Sequence, residues 1–180
     1  MRSEVEMIYY EDDISSHEQF VELLFKLRKL TKYITIVQID GEKKNDPMIT
    51  KAMEKMTLLD KYNALEWYGT LRLSHCGTVY EFDVKDKSFF SDLIEYEAFY
   101  IPATSRDGEY RPEYTSFGLN DIAFLDRDKV PLFFTTTHEG FSVIHPDVLD
   151  VDISWLNKVY FSKICKRGAC RLPGRELTVA

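Results

Sequence analysis

The chain has 180 residues, 44% of them hydrophobic and 29% charged, enough to bury a core without disulfides or metals. Its formal charge of -7 and pI near 5.2 disfavour a general role on nucleic acid or anionic lipid, which repel acid, and favour a basic partner. No apolar run suggests a membrane span, the start "MRSEVEMIYYEDD" is acidic rather than signal-like, and Cys76, Cys165 and Cys170 lack the spacing of a zinc knuckle or disulfide framework, which implies a cytoplasmic chain with free thiols, no metal and no cofactor.

The segment "SSHEQFVELLFKLRKL" sets Ser15 and Glu18 at capping-box spacing, and Phe20, Leu23, Leu24 and Leu27 recur at helical intervals. It predicts an amphipathic helix. "YITIVQIDG" follows as a β-branched strand containing Ile34 and Ile36 and closed by an Asp40-Gly41 turn. "NDPMITKAMEKMTLLDKY" predicts a second helix, capped by Asp46 with Pro47 in its first turn and an apolar core stripe of Ile49, Ala52, Met53 and Met56. "EWYGTLRLSHCGTVYEFDV" reads as two alternating runs about "SHCG", a hairpin whose turn carries His75 and Cys76.

"KSFFSDLIEYE" predicts a short helix capped by Ser88, and "AFYIP" a strand. The stretch from Thr104 to Asn120 has no sustained period and reads as a long surface loop. "DIAFLD", "VPLFFTTT" and "FSVIHP" form an antiparallel three-strand meander through "RDK" and "HEG", with Pro131 at an edge or strand start. Its threonines suit a half-exposed sheet face. "DISWLNKVYFSKI", capped by Asp152, predicts the last helix, and the residues after Ile164 form a basic tail. The sum is an α+β fold: one globular domain over 1–164, an antiparallel sheet of hairpins flanked by about four helices, then a flexible tail over 165–180.

Two turns carry the chemistry-bearing residue types. If "HEG" is a three-residue loop pairing Thr137 with Phe141, then His138 is at the tip and His145 lies roughly 13 Å down the strand, too far to share a metal or a substrate atom. A site requires the two turns to meet, so that His75, Cys76, His138 and Glu139 converge for zinc binding or Cys/His nucleophilic chemistry in a hydrolase or metal-dependent enzyme. The ligand types are scattered singly, and the chain has no GxGxxG, P-loop, GxSxG, HExxH or EF-hand signature. His17 and His145 read as surface or structural residues.

Charge is patterned more clearly than any motif. From Glu4 to Glu22 there are seven acidic side chains and no lysine or arginine, and "YEFDVKDKSFFSDLIEYE" adds six acids against two lysines. Interleaved with these acids are aromatics, giving a candidate partner-binding set of Tyr9, Tyr10, Glu11, Asp12, Asp13, Tyr80, Asp83, Asp86 and Tyr96. There the carboxylates steer a basic protein and the rings anchor it. A solvated, solubilising face is the competing account of the same acids. The tail, with Lys163, Lys166, Arg167, Arg171 and Arg175, is the one segment suited to touch nucleic acid or the molecule's own acidic face. A small, acidic, aromatic-rich α+β chain without catalytic signatures resembles in type the bacterial immunity proteins that neutralise toxins, a likeness from which no residue role carries over. The expectation is therefore a non-enzymatic inhibitor of a basic toxin such as a nuclease; the alternatives are the enzyme at the two turns and a phage or regulatory adaptor.

Overall fold

The computed structural model of the chain describes residues 8–12, 17–39, 46–68, 76–95, 120–137, 141–148 and 160–162, with side chains at all of these except 8–12, 141, 146 and 160–162. Strand β1, Ile8–Asp12, precedes helix α1, His17–Leu30. The spacing that predicted the helix also fixes its buried face, since Phe20, Leu23, Leu24 and Leu27 are each at most 1% exposed. The expected cap Ser15 lies outside the described residues. Strand β2, Tyr33–Gln38, follows after two residues, while its expected Asp40-Gly41 turn is outside the described set.

Helix α2, Pro47–Lys55, starts as its sequence dictates. Asp46 Oδ1 accepts the amides of Met48 and Ile49, each at 3.0 Å, and Pro47 occupies a position where no N–H is needed. Met48, Ile49 and Ala52 form its buried face and Met56 packs just beyond, whereas Met53, at the margin of that row, is 49% exposed. The helix is shorter than expected. Met56 is already extended, and strand β3, Thr57–Ala64, takes up residues that the sequence pattern assigns to the helix. Most β3 side chains are solvent-facing and a register shift between Leu58 and Asp60 breaks the alternation, so neither periodicity marks this segment as a strand.

The hairpin partner of strand β4, Gly77–Asp83, is therefore β3, with Ala64 opposite Gly77, and not the run directly before "SHCG". Helix α3, Phe89–Leu93, buries Phe89, Phe90 and Leu93. Ser88 precedes it without capping it: the Ser88 hydroxyl and amide both donate to Asp86, at 2.7 and 2.8 Å. The expected "AFYIP" strand and most of the long loop lie outside the described residues.

The three-strand meander is present as β5, Asn120–Leu125, β6, Pro131–Thr136, and β7, Phe141–Ile144, paired antiparallel in that order. Pro131 starts β6 at a register shift, where its missing N–H interrupts no ladder, but β6 is an interior strand. Thr136, not Thr137, stands opposite Phe141, so the connection is four residues. A 3-10 turn, Pro146–Val148, follows β7. Tyr160–Ser162, read as part of the last helix, is strand β8 against β1; Asp152, its expected cap, is outside the described residues.

These strands make one antiparallel sheet in the order β3-β4-β2-β5-β6-β7-β1-β8. Three α-helices are described, one fewer than expected. Against one sheet face, Ile34, Ile36, Tyr80, Phe82, Ile122, Phe124, Phe133 and Ile144 join the apolar faces of α1, α2 and α3 in the main core. On the other face, Val37, Val79, Ala64 and Trp67 form one cluster and Ala123, Leu125, Phe134 and Val143 another, with Tyr33 and Tyr68 against the latter. Both faces of the central strands are buried. Thr135, Thr136 and Thr137 are at most 1% exposed, which corrects the half-exposed face expected of them.

Candidate functional site

The two ends of the sheet differ. At one end four links are short and fully described, Thr31-Lys32 between α1 and β2, Met56 between α2 and β3, 84–88 between β4 and α3, and 126–130 between β5 and β6, and β7 leaves at the same end through His145 and the 3-10 turn. The 126–130 turn is held by Asp126 Oδ1, which accepts the amides of Asp128 at 2.8 Å and Val130 at 2.9 Å. At the other end the chain leaves β1 and β2, crosses from β3 to β4 and from β6 to β7, and enters β5. Scaffolds of this kind carry function on the long links.

At this end of the sheet lies a buried polar layer. Thr78, Gln38 and Asn120 stand in register across β4, β2 and β5, and Thr135, Thr136, Thr137 and Ser142 extend the row over β6 and β7, all of them buried. The β5–β6 register closes at Ala123–Phe134, and beyond it side chains replace the ladder. The Ile122 amide donates to Thr135 Oγ1 at 3.0 Å, the Thr137 hydroxyl to the Asn120 carbonyl at 2.8 Å, and the Thr137 amide to Asp121 Oδ1 at 2.6 Å. Asp121 Oδ2 accepts the indole N–H of Trp67 at 2.7 Å, and Asn120 Nδ2 donates to Asp46 Oδ2 at 2.9 Å. One network thus ties the β3–β4 link, the α2 N-terminus and the splayed ends of β5 and β6. Gly77 completes it by lacking a side chain, since a Cβ there would stand 2.7 Å from Val37 Cγ1 and 2.8 Å from Trp67 Cζ3. Sequence reading missed this layer, although "ND" opening β5 and "TTT" closing β6 were its visible signal.

The described residues that flank both chemistry-bearing turns lie at this end. Cys76, half-buried and a free thiol, directly precedes β4, and Thr137 ends the described part of the β6–β7 link. His75, His138 and Glu139 lie outside the described residues. β4 and β6 are separated by β2 and β5, three strand spacings or about 14 Å. The topology sets Cys76 and Thr137, the described residues next to those turns, at one rim without making β4 and β6 neighbours. His145, at the opposite end, is held structurally: its Nδ1 accepts the Asp147 amide at 3.1 Å. Burial pushes its pKa below the ordinary imidazole value, against the opposing pull of Asp147 and Asp126. His17 is exposed, with its ring 6.2 Å from that of Phe20.

The acidic residues divide between the two ends. Tyr9, Tyr10, Glu11 and Asp12 belong to β1, with Glu11 opposite Val143 and Asp12 opposite Ser142 at the long-link end; Asp13 and Tyr96 lie outside the described residues. Asp83 and Asp86 are at the short-link end, five strand spacings from β1, or about 24 Å across the sheet. There lysines answer the acids. Lys32 meets Asp83 at 2.5 Å, and that bond holds the lysine pKa above its ordinary value. Glu81 accepts the Tyr62 hydroxyl at 3.0 Å and lies 3.5 Å from Lys129, while Lys51 and Lys55 pair with Asp92, and Lys51 also meets Glu95 at 3.0 Å. Asp86 is exposed, its pKa lowered by the Ser88 hydroxyl and then the Ser88 amide. Tyr80 is 4% exposed and donates to Gln38 Oε1 at 3.3 Å, so its ring belongs to the core and not to a contact face.

Among the described residues, no three His, Cys, Asp or Glu side chains gather at metal-binding distance, and no helix is long and apolar enough to cross a membrane. No protein-family model, curated protein or solved structure matches the chain.

Proposed function

We propose that this chain is a non-enzymatic binding protein that occludes a basic protein partner, most concretely an immunity-type inhibitor of a toxin such as a nuclease, and that the partner is met at the long-link end of the sheet. The observation that carries the reading is the acidic excess of the segments that join the strands at one end, against a balanced charge at the other. The long-link segments 13–16, 39–46, 65–76, 96–119 and 137–140 carry ten acidic side chains against five basic ones, whereas at the other end the links 31–32, 56, 84–88 and 126–130 together with Asp83 and Asp147 carry five acids against five bases. A cationic surface is therefore steered toward the long-link end, and Asp83 and Asp86, at the balanced end, drop out of the steering set. The hydrogen-bonded layer at this end fixes the strand ends from which the links depart.

The test is affinity capture from the native source or with the product of the neighbouring gene, followed by binding kinetics at two salt concentrations. A basic protein recovered in equimolar complex is expected. Reversing Asp13, Asp40 and Glu139 to lysine should slow its association and flatten the salt dependence, while reversing Asp86 should not. Turnover of a small molecule that is lost on His138→Ala, with no macromolecular partner, overturns the reading in favour of the enzyme at the rim.

A further inference from the structure

Helix α1 carries an apolar residue where packing has no use for one. Its core stripe occupies one side, and the row turned furthest from the core is Glu18, Glu22, Phe25 and Lys29, all exposed, with Phe25 at 51%. The charges on this row are segregated. Both carboxylates lie toward the N-terminus and the cation toward the C-terminus, where the last turn also holds Arg28.

Such a row is complementary to itself when reversed. Glu22 and Lys29 are one heptad apart, about 10.5 Å along the axis, and the midpoint between them falls beside Phe25. A two-fold axis through that midpoint sets two α1 helices antiparallel, lays Phe25 on Phe25 of the partner subunit, and brings each Glu22 opposite Lys29 of the partner subunit. We propose that the outer face of α1 is a self-association surface and that its occupant is a second copy of this chain. The contact is isologous, so it closes at a dimer. A parallel arrangement would oppose like charges, which selects the antiparallel one. Within one chain Glu22 already meets Lys26 at 3.3 Å, an exposed pair that leaves its second carboxylate oxygen for the cross-helix cation. The surface is separate from the acidic rim and does not rest on the function proposed for that rim.

A single helix pair buries less than a standard interface, so association is expected only at tens to hundreds of micromolar. The experiment is sedimentation equilibrium of the full chain over a concentration series up to about 0.5 mM, in low salt, with circular dichroism to verify folding. The parent chain should shift from monomer to dimer mass. Phe25→Asp should raise Kd at least about tenfold, Glu22→Lys and Lys29→Glu should each weaken the dimer, and the double variant with both reversals should recover it to within about twofold. All these sites are exposed, so loss of fold is not expected. A parent that stays monomeric throughout overturns the proposal, as does a dimer that survives Phe25→Asp or a double variant no better than the single ones. A monomer in which Phe25→Asp instead abolishes capture of a basic protein also overturns it and assigns the helix face to that partner.

Discussion

The carboxylate of Asp121 is 2% exposed and accepts from two donors that have no water to fall back on, the Trp67 indole and the Thr137 amide, at 2.7 and 2.6 Å. Replacing Asp121 with alanine removes the carboxylate that both buried N–H groups donate to, at about 1–3 kcal/mol each, so a loss of about 2–6 kcal/mol is expected. Against a total stability of about 5–15 kcal/mol that is a large fraction. Asp121→Asn should cost less, because one oxygen can still accept. Trp67→Phe removes the indole donor to Asp121 Oδ2, and since the two residues touch, the double variant should be more stable than the sum of the single losses by about 1–2 kcal/mol. The assay is urea unfolding at neutral pH with fitted midpoint and slope for parent, both single variants and the pair. Strict additivity, within about 0.5 kcal/mol, would refute the reasoning that this bond links the β3–β4 link to β5.

Gly77→Ala should destabilise by about 1–3 kcal/mol, because its methyl would meet Val37 and Trp67 well inside contact distance; thermal melts should fall by several degrees, and an unchanged midpoint would show that Trp67 yields freely. His145 should make the fold acid-sensitive. Its folded pKa lies below the ordinary 6.5, so as pH drops through that value the unfolded chain binds the proton first and stability declines until the folded pKa is passed; above pH 6.5 the effect is absent. His145→Gln should flatten stability against pH in that window, and matching slopes for parent and variant would contradict the assignment.

How much of this was legible in the sequence varied with the kind of signal. The α1 face and the α2 start were plain, because a 3.6-residue apolar row and an Asp-Pro cap are local patterns with local causes. The meander was plain too, as its strands are consecutive and joined by short links. β3 was hidden by its position. An edge strand with exposed side chains and a bulge at Leu59 needs no apolar alternation, and its partner β4 lies beyond a twelve-residue link. β1 and β8 were hidden because they pair with each other although some 150 residues separate them, and the sequence between carries no trace of that pairing.

The candidate site followed the same division. Sequence alone determined that the chain is acidic, that its acids cluster with aromatics, and that its histidines and cysteines are scattered, since composition and spacing are properties of the chain itself. Tertiary structure alone decided that Tyr80 is core, that Lys32 answers Asp83, and that Glu11 and Asp83 belong to opposite regions of the sheet. It also decided that Trp67, Asp121 and Thr137 share a buried network. The reason is strand order: placing β2 between β4 and β5 and β1 beside β7 makes neighbours of residues far apart in sequence, and a lysine or an indole finds its partner only across those pairings.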